Sequence, residues 1–415
     1  MKAVVVALGK VGLPLAAQIA RAGHQVIGCD VDERVVELVN RGEPPFPGEA
    51  DLDTVLAEVV GDGRLRAQAD TTAAVAEGAD LVVAVPPLYV DADARPDWGA
   101  LDAVTDAIAR GLQPGTTVVV ETTVPVGTTR NRIAPRLADG SGLKSEQDFF
   151  TAFSPERVFS GRVFRDLATY PKLVGGLSTE GEQRCAELYA AFLDAEIWAM
   201  GGAEAAELAK LAETTYRDVN IALANEFARA ADVIGVDVDH VITAANSQPF
   251  SHIHRPGVAV GGHCIPVYPR FLLEGAPDAR IPRVARDVNE SMPAYAADLL
   301  GDVNGETVVV LGIAYRGGVK EDAFSGARAL RTVLRDRGAT PVFADPLYSD
   351  DELRALGYEP WDGGRADAAI VQTDHAEYAS LTSAHLPGVT RIVDGRGVLD
   401  AALFDGVPVK RIGRP

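Results

Sequence analysis

The chain has 415 residues, 47% of them hydrophobic and 24% charged, the balance of a globular protein too long for one ordinary core. A formal net charge of −20 repels phosphate backbones and anionic surfaces, which argues against nucleic acid and membrane partners. The three cysteines, Cys29, Cys185 and Cys264, are too few and too scattered for a disulfide framework or a zinc site. The opening "MKAVVVALGK" has too short an apolar run for a signal peptide, and no stretch reaches the ~18 apolar residues of a membrane span. A cytoplasmic protein is expected.

In chain order, "KAVVVA" is a continuous β-branched run, as in a strand buried on both faces. "LGKVGLPLAAQIARAG" is a glycine turn opening an amphipathic helix, with Gly23 as its stop, and "HQVIGCD" is a second strand ending in an acid. "ADLVVAVP", "TTVVVETTVP", "FFTAFSPE" and "PKLVGG" follow as strands with helical patterns between them, an alternation that predicts a parallel sheet covered by helices. From about Ala203 to Ile234 apolar residues recur at three- and four-residue spacing without Gly or Pro, predicting one long helix able to connect domains and offer a partner surface. A second α/β unit begins near residue 305, with strands in "ETVVVLGIAY", "ATPVFADP" (ending in Asp345), "ADAAIVQTDH" and "RIVDGRG". The fold class is therefore α/β, with two Rossmann-like, doubly wound parallel-sheet domains joined by a long central helix. The expected boundaries are 1–200 for a dinucleotide domain, 201–300 for a central helical part and 301–415 for the second α/β domain.

"ALGKVG", Ala7–Gly12, follows a strand and opens a helix, so it is a GxGxxG fingerprint with Ala at the first glycine. Its glycines let backbone approach a pyrophosphate, whose charge the helix N-terminus favours. Asp30 closes the next strand, where a carboxylate binds ribose hydroxyls and repels a 2′-phosphate, so NAD is expected rather than NADP. The methyl of Ala7 adds bulk at the tight turn.

Seven ordered segments, "KVGLPLA", "ETTVPVGTT", "FSPERVFSGR", "ELAKLAETTYRDVNIALANEFA", "VGGHCIPVYP", "GIAYRGG" and "VDGRGVLD", then make the whole chain resemble the UDP-glucose/GDP-mannose dehydrogenase family. "SPERV" and "GGHCIP" are similar to its UDP-N-acetylmannosamine branch. The resemblance implies an N-terminal NAD domain, a homodimer built on the central helix, and a C-terminal domain for the nucleotide of a UDP-sugar. It also implies oxidation of a sugar carbon-6 alcohol to a carboxylate with two NAD and no metal. NAD contacts would fall on Gly9, Lys10, Val11, Gly12, Asp30, Pro86 and Thr123. Substrate contacts would fall on Glu156, Arg157, Val158, Lys210, Arg255, Gly257, Gly261, Tyr315 and Arg316.

In that scheme Cys264 attacks the intermediate aldehyde as a thiolate, giving a thiohemiacetal and then a thioester that water hydrolyses. Lys210 offsets the developing oxyanion, Glu156 activates the water, and Thr123 lies near the nicotinamide. Outside the motif, Cys264 reads as a buried structural cysteine more often than as a nucleophile, and Lys210 as a solvated helix residue. His263 and His375 are read as structural.

Several positions depart from the family pattern. Thr214 stands where an asparagine follows the active-site lysine by four residues, and Tyr268 where an aspartate follows the cysteine by four. Phe250 and Ala323 replace arginines, Val258 and Ala259 enlarge a glycine loop, and Arg316 replaces a lysine with a group that still clamps phosphate. A second reading therefore stays open: a diverged member acting on another nucleotide sugar by two-electron or redox-neutral, epimerase-like chemistry with bound NAD.

Overall fold

The computed structural model describes residues 1–91, 94–159 and 161–414. It divides into two units, one formed by Met1–Ala212 with Arg270–Pro277, the other by Glu213–Pro269 with Asp278–Pro415. The long helix expected from periodicity is Ala203–Ile234, and it runs from the first unit into the second.

The first unit is built on an eight-stranded sheet. Its order from edge to edge is Ile197–Ala199, Lys172–Gly176, Phe150–Phe153, Thr117–Val120, Leu81–Ala84, Lys2–Val6, Gln25–Cys29 and Leu65–Gln68. The strand after the glycine loop pairs on one side and the later strands add on the other. Order therefore reverses between Lys2–Val6 and Leu81–Ala84, the crevice where a doubly wound sheet takes a ligand. Val4 and Val5 are fully covered, as the unbroken β-branched run required. Helix Gly12–Arg21 buries Leu13, Leu15, Ala16, Ile19 and Ala20 against this sheet.

The expected all-parallel sheet needs one correction. Phe150–Phe153 and Lys172–Gly176 pair antiparallel, and Ile197–Ala199 follows the latter in parallel. Among the described residues, the segment between them carries only the seven-residue helix Val163–Thr169, so the chain turns back at the carboxyl edge instead of crossing over. Lys172 thus starts its strand at the edge where the other strands end. Sequence reading also passed over the edge strands Leu65–Gln68 and Ile197–Ala199, whose burial alternates or is slight.

The second unit has a five-stranded, all-parallel sheet ordered Thr340–Ala344, Thr307–Leu311, Ala368–Val371, Arg391–Asp394 and Val409–Arg411. Its order reverses between Thr307–Leu311 and Ala368–Val371, so the loop Gly312–Gly318 leaves the sheet at the switch point. Val308, Val309, Val310 and Ile370 are wholly covered, and helix Arg280–Leu300 packs Met292, Ala296 and Ala297 into the same core.

Candidate functional site

At the switch point of the first unit the glycine loop is held by the protein itself. Asp30 accepts the Leu8 N–H at 2.8 Å and the Asp32 N–H at 3.0 Å, so the expected ribose-binding carboxylate also fixes the turn. The three loop positions differ in what they demand. Ala7 has φ +76°, the left-handed region that favours glycine. A Cβ on Gly12 would lie 2.0 Å from the Ala7 carbonyl oxygen, so the helix can approach the strand only without one. A Cβ on Gly9 would meet nothing within 4 Å, which leaves its backbone open to a ligand. Gly9 and Lys10 are exposed and Val11 is half-buried.

Beside this loop lies a cleft of about 490 Å³ lined by Val6, Ala7, Asp30, Pro86, Ala103 and Ala107 among others. An apolar cleft with the Asp30 and Asp70 carboxylates among its lining, next to an open glycine backbone at a helix N-terminus, fits a dinucleotide. The Pro86 carbonyl accepts the Thr122 hydroxyl at 2.5 Å, tying the end of Leu81–Ala84, which borders the crevice, to that of its neighbour Thr117–Val120, and Thr123 is buried next to that link.

Further along the same sheet edge, Glu156 lies three residues beyond the strand Phe150–Phe153. Its Oε1 accepts the N–H groups of Arg157 (2.5 Å) and Val158 (3.0 Å), and its Oε2 accepts Lys172 Nζ at 3.1 Å. Lys172 Nζ also lies 2.8 Å from Glu121 Oε1, which accepts the Tyr189 hydroxyl at 2.5 Å. Burial holds the Glu121 carboxyl above its ordinary pKa despite Lys172, and raises Tyr189 strongly. Burial acts to lower Lys172, but its two carboxylate neighbours outweigh that and keep it a firm cation. The Arg157 guanidinium donates to the Pro171 carbonyl at 3.3 Å. Glu121, Lys172 and Tyr189 were missed in the sequence. A lone acid closing "TVVV" and a lone lysine opening an apolar strand were the available signals.

On the long helix, Lys210 and Thr214 are both buried and lie four residues apart, hence on one face. In the second unit, Cys264 is exposed, whereas Cys29 and Cys185 are buried. Burial pushes the Cys29 thiol up to about 12 and raises Cys185 further, so neither supplies a thiolate near neutral pH. The Cys264 carbonyl accepts the Tyr268 N–H at 2.9 Å, which starts the helix Tyr268–Gly275 with Tyr268 half-buried.

The glycines beside Cys264 face protein. A Cβ on Gly261 would lie 2.7 Å from Tyr315 Cβ and 3.1 Å from the Phe324 carbonyl oxygen. Gly262 has φ +88°, donates to the Ala323 carbonyl at 2.8 Å, and would press a Cβ on the Tyr315 ring at 3.1 Å. The structure thus joins Gly261, Tyr315 and the cysteine loop. Upstream, the Gly257 N–H donates to Asn225 Oδ1 at 3.0 Å. Asn225 continues through Asn289 (2.9 Å) to Asp218, which pairs with Arg286 at 2.7 Å. The larger residues of that loop have room made for them: Val258 is fully buried over Gly395, and Ala259 sits against Gly326, each of which lacks the Cβ that would collide. Arg255, Arg316 and Phe250 are exposed, and the Arg316 guanidinium lies 5.7 Å from the Tyr315 ring centroid.

Asp345 closes its strand as Asp30 does, but it is buried. It accepts the Ile313 and Ala314 N–H groups at 2.8 and 3.0 Å, and His375 Nε2 lies 3.1 Å away. Gly318 donates to His375 Nδ1 at 3.3 Å, so His375 locks the Gly312–Gly318 loop. Buried and engaged by these groups, Asp345 is not placed at the rim of a cleft as Asp30 is. His263 pairs with Glu321.

Residues 1–193 match the NAD-binding domain of the UDP-glucose/GDP-mannose dehydrogenase family, and residues 204–291 match its central domain. The chain is 34% identical to a UDP-N-acetyl-D-mannosamine dehydrogenase of Pyrococcus horikoshii, with 96% of each chain covered. It is 32% identical to an NDP-N-acetyl-D-galactosaminuronic acid dehydrogenase of Ralstonia nicotianae, again with 96% of each covered. Among solved structures, a UDP-D-ManNAc dehydrogenase from Pyrococcus horikoshii superposes with a TM-score of 0.89 at 32% identity, covering 100% of this chain and 99% of that one.

Proposed function

Because the chain belongs to the UDP-glucose/GDP-mannose dehydrogenase family, and is thus an NAD-dependent oxidoreductase acting on the CH–OH group of a nucleotide sugar, we propose that it oxidises the carbon-6 alcohol of a UDP-sugar of the N-acetylmannosamine type to the uronate. The observation that carries the covalent route is the contrast among the cysteines: Cys264 alone is exposed, on a loop packed against Tyr315, while burial silences the other two.

In this reading Gly9, Lys10, Val11, Gly12, Asp30, Pro86 and Thr123 hold NAD. When bound, NAD supplies the hydride acceptor for both oxidations. Cys264 bonds to the aldehyde carbon as a thiolate, so the aldehyde never leaves. Lys210 balances the oxyanion, with Thr214 adding a hydroxyl donor one turn on. Glu156, oriented by two backbone N–H groups and Lys172, accepts the proton of the hydrolytic water. Arg157, Val158, Arg255, Gly257, Gly261, Tyr315 and Arg316 bind the sugar nucleotide. The protein acts in the cytoplasm as a homodimer. Support for the dimer comes from Tyr216, Leu223, Phe227 and Ile234, exposed at spacings of seven, four and seven along the long helix, an apolar stripe on one face.

Incubation with NAD and UDP-N-acetylmannosamine, with products read by mass, tests the assignment: two NADH per uronate are expected, and Cys264→Ser should form no acid. Acid production by that variant would end the thioester route. The second reading, two-electron or redox-neutral chemistry, is favoured by Tyr268 standing where a carboxylate is expected. One NADH or none per sugar would select it. For the dimer, Phe227→Glu with Tyr216→Glu should halve the mass measured by light scattering.

A further inference from the structure

The buried cluster behind Glu156 has no need of two carboxylates for charge balance, because Glu121 alone would neutralise Lys172. Burying ions is costly unless the geometry repays it, and a surplus anion makes the cost larger. The Lys172 side chain is 5% exposed, Glu121 0% and Glu156 10%. The three come from three strand ends: Glu121 after Thr117–Val120, Glu156 after Phe150–Phe153, and Lys172 at the start of the antiparallel strand.

We propose that Lys172 is a positioning residue for the hydrolytic step: held between Glu121 and Glu156, its ammonium fixes the orientation of Glu156 as the base. This rests on the role given to Glu156 above. Glu156 Oε1 is set by two N–H groups and Oε2 by Lys172, which leaves lone pairs for a water proton. Glu121 holds Lys172 from behind, and the Tyr189 hydroxyl clamps the Glu121 oxygen that faces Lys172. Tyr189 and Cys185 lie on helix Thr179–Ala190 behind the cluster, and both have Glu121 among their charged neighbours. Asp166 and Tyr170 line the small cavity beside Glu156, and Asp166 is already engaged by the Phe159 N–H and Arg162.

In the step served, the water oxygen bonds to the acyl carbon. The carbon–sulfur bond breaks, with its electron pair returning to Cys264. Glu156 takes one water proton, and the second leaves with the carboxylic acid for solvent. Lys172 neither gains nor loses a proton.

The test uses full-length enzyme, NAD and the UDP-sugar, with quenched samples read by intact mass for an acyl adduct on Cys264. Glu156→Gln must accumulate the adduct; if it does not, the role of Glu156 fails, whatever Lys172 does. Given that control, Lys172→Met is expected to accumulate the same adduct, with kcat for acid lower by roughly 10² and KM little changed. Lys172→Arg should recover most of the rate. If Glu156→Gln accumulates adduct while neither lysine variant does, the proposal is overturned. If Lys172→Met does not fold, Glu121→Gln decides. Without the carboxylate that holds Lys172 from behind, the Cys264 adduct should accumulate with KM little changed, and absence of adduct in that variant overturns the proposal.

Discussion

Three single substitutions in the glycine loop should separate folding from cofactor binding. Ala7 holds φ +76°, where an L-residue with a Cβ is strained by roughly 1–2 kcal/mol. Ala7→Gly removes that strain but returns about 0.4–1 kcal/mol of backbone entropy to the unfolded chain. The net gain is up to about 1.6 kcal/mol, or a rise in Tm of up to roughly 3–6 °C for a unit of this size. The strain is present with or without NAD, so its relief should leave the Kd for NAD within about threefold. Gly9→Ala is the mirror image: its Cβ meets no protein atom within 4 Å, so Tm should hold while NAD binding weakens at least ~10-fold, because the methyl lies where the pyrophosphate must approach. Gly12→Ala puts a Cβ 2.0 Å from the Ala7 carbonyl oxygen and should lower Tm sharply. Differential scanning calorimetry of the apo protein and calorimetric titration with NAD read both axes. A fall in Tm for Ala7→Gly, or unweakened NAD binding by Gly9→Ala, would refute the account of the loop.

Gly261→Ala drives a Cβ into Tyr315 and the Phe324 carbonyl, so it should lower Tm and raise KM for the sugar nucleotide by on the order of 10-fold, since small displacements of binding groups are amplified in rate. Although burial acts to raise it, hydrogen bonds from His375 and from the Ala314, Leu347 and Ile313 N–H groups hold the Asp345 carboxyl below its ordinary value. A depressed carboxyl contributes stability that is complete above the unfolded pKa and is lost as pH falls through the folded one. Thermal unfolding should therefore show a loss below about pH 4 that Asp345→Asn reduces. Brief treatment of the native protein with iodoacetamide should label Cys264 alone by peptide mass, with Cys29 and Cys185 reacting only after unfolding.

Much of this was legible in the chain. Buried strands declared themselves because both faces of a central strand must be apolar, and "KAVVVA", "TVVV" and "ETVVVLG" are. The long helix was readable to its ends because thirty-two residues without Gly or Pro leave the period unbroken. The glycine loop and Asp30 were readable because backbone approach to an anion demands particular residues at fixed spacing. Edge strands such as Leu65–Gln68 were not, since half-buried segments lack a strong pattern.

What the sequence could not decide was strand direction, and everything that follows from it. "PKLVGG" reads the same in either sense. In a parallel strand Lys172 would begin at the far edge of the sheet, a strand's length from Glu156. The short connection turns the strand antiparallel and brings Lys172 to the carboxyl edge, within 3.1 Å of both Glu121 and Glu156. Likewise Asp30 and Asp345 are alike in sequence, each an acid closing the second strand of an α/β unit. Only the fold places His375 against Asp345 and leaves the Asp30 carboxylate at the rim of an open cleft. Local pattern is set by which faces of an element must be apolar, and the sequence carries that directly. The meeting of distant charges is set by which ends of the strands coincide, and that is fixed only when the chain is folded.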